Sequence, residues 1–269
     1  MEFLKIVRRR SFLSEVVYTA LNITLAIAVV LVIRATESPW PAIALVCLSK
    51  WRVLAVRPRY WFVNIQANLV DFIVSVSLVV FLYTTYISSI GAYPKLFVLG
   101  VLTLLYIGWL LFVKPRSKRS FVVAQAGVAL FSGVAALYIL SYSWPVAAVV
   151  LLMWLIGYST SRHVLASYEE THILFLSLLW GLVMAEIGWL AYHWTVAYGL
   201  GSEGIMIPRV ALTVLCLGFI LQQCYDSYYH HQRIRGNDII LPVLFTISII
   251  VVLPIALNLL WGANISIGI

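Results

Sequence analysis

Charge is scarce in this sequence. Asp, Glu, Lys and Arg make up 10% of its 269 residues, where an average soluble domain carries about 25%, and an ordinary globular domain is therefore excluded. Cysteine is scarcer still: Cys47, Cys216 and Cys224 are the only three. All lie in apolar segments and none forms a C-x-x-C pair, which removes both a disulfide framework and a cysteine zinc motif. The sequence also lacks H-E-x-x-H, Gly-x-Ser-x-Gly and the phosphate-binding G-x-x-x-x-G-K-S/T. Those absences argue against the enzymes built on these motifs. No internal repeat is visible, so the repeat symmetry of many transporters offers no guide.

Hydrophobic residues are abundant, at 63% of the chain. A hydrocarbon layer of about 30 Å takes roughly 20 apolar residues per helix. Such stretches fall near 14–33, 39–56, 60–84, 95–113, 121–142, 145–161, 172–198, 209–228 and 239–261. The expected fold is an all-α polytopic integral membrane bundle of about nine transmembrane helices, one membrane domain over 1–269 with no soluble domain. The basic N-terminal stretch lacks a small-residue cleavage site before the first apolar run and reads as the flank of a retained span.

The second segment is the doubtful one, because its purely apolar core from Pro41 to Leu48 is short. Charge distribution decides it. With nine spans and a cytoplasmic N-terminus, Lys5, Arg8, Arg9, Arg10, Lys50, Arg52, Arg57, Arg59, Lys114, Arg116, Lys118, Arg119, Arg162, Arg233 and Arg235 all fall inside, and only Arg34, Lys95 and Arg209 fall outside. A mere dip would send the clusters at 50–59 and 114–119 to the outer face, against the positive-inside rule. The formal charge of +8 is thus a topology signal rather than a nucleic-acid footprint. Its partners are expected to be membrane lipids, with basic loops facing anionic headgroups, and other membrane proteins. The C-terminus is expected outside and the location to be the cell (cytoplasmic) membrane. Labelling tests this: Ser117→Cys and Arg235→Cys, in a cysteine-free background, should react from the cytoplasm, and Ile90→Cys and Glu203→Cys from outside. Outside labelling of Ser117→Cys would overturn the nine-span order.

Charged residues inside apolar spans are the candidate site. On the third span Asn64, Asn68 and Asp71 recur at helical spacing and Ser75 continues the face. Asp71 lies about 16 Å into that helix, near the bilayer middle, where a lipid-facing carboxylate would cost about 2.5–3.5 kcal/mol. The second and third spans form a hairpin turning near Pro58, which brings Lys50 within reach of Asp71. The group is either an ion or proton site or a structural pair whose remaining polar contacts the asparagines supply. On the seventh span Glu186 and His193 are seven residues apart and share a face. That face is expected to point into the bundle, as a proton path entering past His193, which Trp189 and Trp194 bracket.

A third group gathers where the seventh span opens and the eighth closes: Glu169, Glu170 and His172 with Asp226, His230 and His231. Glu169, His172, Asp226, His230 and His231 are the residue types that ligate zinc or iron, and Glu169-x-x-His172 has a metal-site spacing. Helix capping competes, because Ser167-x-x-Glu170 reads as a capping box and histidines at a helix end complement its dipole. No cofactor is indicated. Three functions are compatible: transport or permeation of a small solute or ion, a non-catalytic subunit packing against partner membrane proteins, and a lipid-active enzyme with a cytoplasmic-face metal. Two intramembrane carboxylates, Asp71 and Glu186, favour the first.

Overall fold

The structure is a computed structural model that describes residues 12–53, 55, 57–194, 196–199, 206–261 and 266–267. Among the described residues nine α-helices follow one another: α1 (Phe12–Thr36), α2 (Pro39–Ser49), α3 (Trp61–Ile87), α4 (Ala92–Gly108), α5 (Arg119–Leu140), α6 (Val146–Ser167), α7 (Ile173–His193), α8 (Arg209–His231) and α9 (Gly236–Trp261). Among the described residues seven helical segments are long and apolar enough to cross a membrane; α2 and the Gly236–Val252 part of α9 are shorter. The chain is an all-α membrane bundle.

Small residues place the helices. Hydrocarbon tails are as apolar as leucine, so helices associate in a membrane through close packing and not through expulsion of water. Helix α5 carries a stripe of Gln125, Ala129, Gly133 and Ala136, all buried. A Cβ on Gly133 would stand 2.7 Å from a methyl of Ile73 on α3 and 3.3 Å from Ile156 on α6. A side chain at 133 would thus force Ile73 to shift and would sit tightly against Ile156. Around the α3 and α5 pair, α1, α2 and α4 pack on the α3 side, and α6 and α8 on the α5 side. Outermost are α7, which packs on α6, and α9, which packs on α8. Most of α5 is buried and most of α7 is not, which makes α5 an axis and α7 a flank.

Three sequence expectations change. The second segment is helical for 11 residues only, about 16 Å at 1.5 Å per residue. Beyond it the chain continues through short 3-10 turns at Trp51–Val53 and Pro58–Tyr60, since Pro58 lacks the N–H that would continue a helix. The second apolar segment is thus a short helix followed, among the described residues, by two 3-10 turns. The seventh helix stops at His193 rather than 198, and Val196–Gly199 pairs antiparallel with Met206–Pro208 and with Ser266–Ile267. Finally, Ser167 ends α6 instead of opening α7, because Glu169 takes a left-handed φ of 56°, a conformation that terminates a helix. No capping box forms: the Ser167 hydroxyl donates to the Val164 carbonyl at 2.7 Å.

Candidate functional site

Where α2 stops, three charges meet. Lys50 follows the last helical residue of α2, and its Nζ bonds Asp71 Oδ2, the Ser75 hydroxyl at 3.1 Å and the Asp71 carbonyl at 3.3 Å. That set uses all three ammonium protons. Lys114 Nζ approaches the same carboxylate oxygen at 2.8 Å, and Trp109 Nε1 donates to the other at 3.0 Å. Lys50 is 13% exposed and Asp71 11%, while Lys114 is 33% exposed; the cluster is closed on the α2 side and open at Lys114.

The backbone of α4 explains how Trp109 and Lys114 converge. Trp109–Val113 forms a π turn, in which the Lys114 N–H donates to the Trp109 carbonyl at 2.9 Å. Residues five apart on an α-helix are separated by about 140° around the axis. A five-residue turn instead brings them onto one side, and single π turns of this kind recur at functional sites. Gln125 of α5 supports the widened end, donating to the carbonyls of Val113 at 2.7 Å and Arg116 at 2.9 Å, while its Oε1 meets His163 Nε2 at 2.8 Å. Because Asp71 contacts the final turn of α4, it sits toward the end that carries the 114–119 basic connection.

The asparagines do not complete the pair. Asn64 donates to the Val53 carbonyl at 2.7 Å and Asn68 to the Asn64 carbonyl at 2.8 Å. Asn64 thus ties the backbone after α2 to the first turn of α3. Beside the cluster lies Tyr106, fully buried, whose hydroxyl faces Ser75 and Asp71 without completing a hydrogen bond of normal geometry. Lys114, Trp109 and Tyr106 are absent from the sequence-derived site. Lys114 reads there as a loop charge, and only the π turn turns it inward.

Glu186 is exposed on the outer surface of α7, and so is His193. They share a face, as their spacing requires, but it points away from the bundle; the expected interior path is overturned. The residues facing α6 are the small ones, Ser177, Gly181, Ala185 and Gly188, with Met184 among them. His193 contacts the rings of Trp189, Tyr192 and Trp194, with centroids 5.1, 5.4 and 6.4 Å away, an interfacial setting.

The basic end also carries the residues considered for metal. Among the described residues no group of three or more His, Cys, Asp and Glu side chains is arranged to hold a metal ion. Asp226 accepts from the Tyr168 hydroxyl at 2.8 Å, and His230 and His231 lie 2.9 and 3.2 Å from the Asp226 and Ser227 carbonyls of their own helix. Glu169 is exposed in its left-handed turn and His172 precedes α7. The five residues are spread over two helix ends instead of converging. Glu170 accepts from the Tyr225 hydroxyl and from the His172 N–H, which together hold its carboxyl below the usual carboxylate range. Arg119 fills the space between Tyr168 and Tyr229, 4.3 and 4.9 Å from their ring centroids, and so ties α5 to the ends of α6 and α8. Comparison of the chain with protein-family models, with curated proteins and with solved structures finds no match in any of the three.

Proposed function

We propose that this multi-pass membrane protein carries or admits a small solute or ion, and that Lys50, Asp71 and Lys114 are the charged groups at its passage. One observation carries the reading: α2 breaks at a buried charge cluster. Interrupted helices with charged groups at the break are how membrane carriers commonly build a binding site, because irregular backbone within the bilayer is tolerated where it is enclosed by protein or lines a cavity. Here one carboxylate stands between two ammonium groups. A negatively charged group arriving beside the more exposed Lys114 can compete with Asp71 for it, and its departure restores the internal pair.

Flux in reconstituted vesicles tests this. Lys114→Gln keeps the Lys50 and Asp71 pair and is expected to fold, yet to lower flux of the transported species at least tenfold. Chloride, phosphate, small carboxylates, sodium, potassium and protons form the first panel. Wild-type vesicles impermeable to the whole panel, or a Lys114→Gln variant with full flux, would sink the reading. The rival is a non-catalytic subunit, which the outward position of Glu186 favours. The membrane in question is the cytoplasmic one on this reading, with the basic connections at its inner, anionic surface.

A further inference from the structure

The charge cluster holds one more positive group than negative. Lys50 and Lys114 both lean on a single carboxylate, Asp71, to which Trp109 adds a neutral donor. Lys50 places three protons on acceptors of α3, which makes it an ammonium ion and not an amine. Lys114 has one acceptor among the described residues, Asp71 Oδ2, so two of its N–H donors remain unused. No second carboxylate neutralises it. Glu170 accepts from Tyr225, Asp226 from Tyr168 and Asp238 from Ser227, while Glu15 and Glu169 are exposed and form no ion pair among the described residues. An independent observation concerns Tyr106 of the same helix. It is fully buried beside Ser75 and Asp71, and its hydroxyl has no hydrogen-bond partner among the described residues. Ser75 is already engaged, donating to the Asp71 carbonyl at 2.7 Å and accepting from Lys50. A buried hydroxyl without a partner is rare enough to call for an explanation, and an ion that accepts from it is one.

We infer that the cluster binds a small monovalent anion, of halide size, held by the Lys114 ammonium and the Tyr106 hydroxyl. The unused groups are all donors, which an anion takes and a cation does not. A cation would meet two ammonium groups, and both oxygens of the one carboxylate are already occupied. One negative charge cancels the excess, whereas a divalent anion would replace it with an excess of the other sign, and an uncompensated charge at a buried site is costly. Size is limited by the walls: Tyr106, Trp109 and Asp71 are buried, and the cluster opens at Lys114. On arrival the anion takes Lys114 from Asp71, which stays with Lys50 and Trp109, so that both resulting pairs are neutral. The inference rests on the reading of this cluster as the passage and names the class of ion that uses it.

The test follows thermal unfolding of the full chain in detergent micelles while chloride replaces gluconate at constant ionic strength. A ligand of the native state raises the midpoint along a saturable curve. Wild type should respond in this way to chloride and bromide and not to sulfate. Lys114→Gln should abolish the response, and Lys118→Gln, an exposed lysine of the same connection, should leave it intact. Tyr106→Phe should weaken chloride binding about tenfold or more, the worth of one hydrogen bond to a charged group. In gluconate the same variant should unfold at or above the wild-type midpoint, since a buried hydroxyl without a partner contributes no stability. A wild type indifferent to the exchange of anions, or a Lys114→Gln variant that responds like wild type, would overturn the inference. So would equal loss of stability by Tyr106→Phe in chloride and gluconate, which assigns the hydroxyl to the fold alone. Failure of the transport reading looks different. Saturable chloride binding in micelles without flux in vesicles would sink transport and keep the anion site; flux of sodium, potassium or protons through a protein indifferent to chloride would keep the passage and sink the anion.

Discussion

Asp71→Asn is expected to destabilise the bundle by about 3–5 kcal/mol, the usual cost of leaving a buried charge without its partner. Here the substitution leaves two ammonium groups, Lys50 and Lys114, facing one another across a neutral amide. Lys50→Met should cost less, because Lys114 still holds the carboxylate at 2.8 Å and Trp109 still donates at 3.0 Å. The double variant Lys50→Met with Asp71→Asn should recover part of what Asp71→Asn loses, since the closed side of the cluster then contains no charge at all. Unfolding from mixed micelles by titration with a denaturing detergent measures all three. If Lys50→Met is as damaging as Asp71→Asn, Lys114 contributes nothing to holding the carboxylate. If the double variant is no more stable than Asp71→Asn, the two groups are neighbours without being energetically coupled.

The second large effect is expected where α6 meets α7 at a glycine. A Cβ at Gly157 of α6 would come within 2.5 Å of Met184 Cγ, 2.7 Å of Met184 Cβ and 3.3 Å of the Gly181 Cα. Two of these atoms belong to or adjoin the α7 backbone, so rotating a flexible side chain gives no relief and the helices must separate. Gly157→Leu should therefore cost about 1–3 kcal/mol or more through overpacking. It should also act locally: Ser177 is fully buried on the α7 face that meets α6, and Ser177→Cys should become thiol-reactive in the Gly157→Leu background while remaining protected with Gly157 intact. Full stability and continued protection in the double variant would show that α7 is held elsewhere. Gly188, whose added Cβ would lie 2.7 Å from Met153 Cγ, predicts the same loosening one turn from the far end.

The cluster at Asp71 was half legible in the primary structure. Lys50 and Asp71 lie on the two arms of the hairpin that turns near Pro58, which puts them within reach of one another. Lys114 escaped because a lysine after an apolar span is ordinarily a topology signal; nothing in Trp109–Val113 announces the π turn that aims it inward. Gln125 looked like one more member of a packing stripe, and it is buried in that stripe, yet its amide also secures the end of α4. For the histidines and acids of the basic end, spacing along each helix was readable but spacing between helices was not. Convergence on a metal depends on that second distance.

Composition and the spacing of apolar runs determined by themselves that this chain is a helical membrane bundle and roughly where its helices fall. Those properties follow from length against bilayer thickness. Which way each helix turns was decided by tertiary structure. In water the apolar face of a helix goes inside, but in a bilayer lipid and protein interior are equally apolar, and only close packing and hydrogen bonding distinguish them. On α7 the glycines and serine won the contact with α6, so Glu186, which shares its face with leucines too large for that contact, was turned outward.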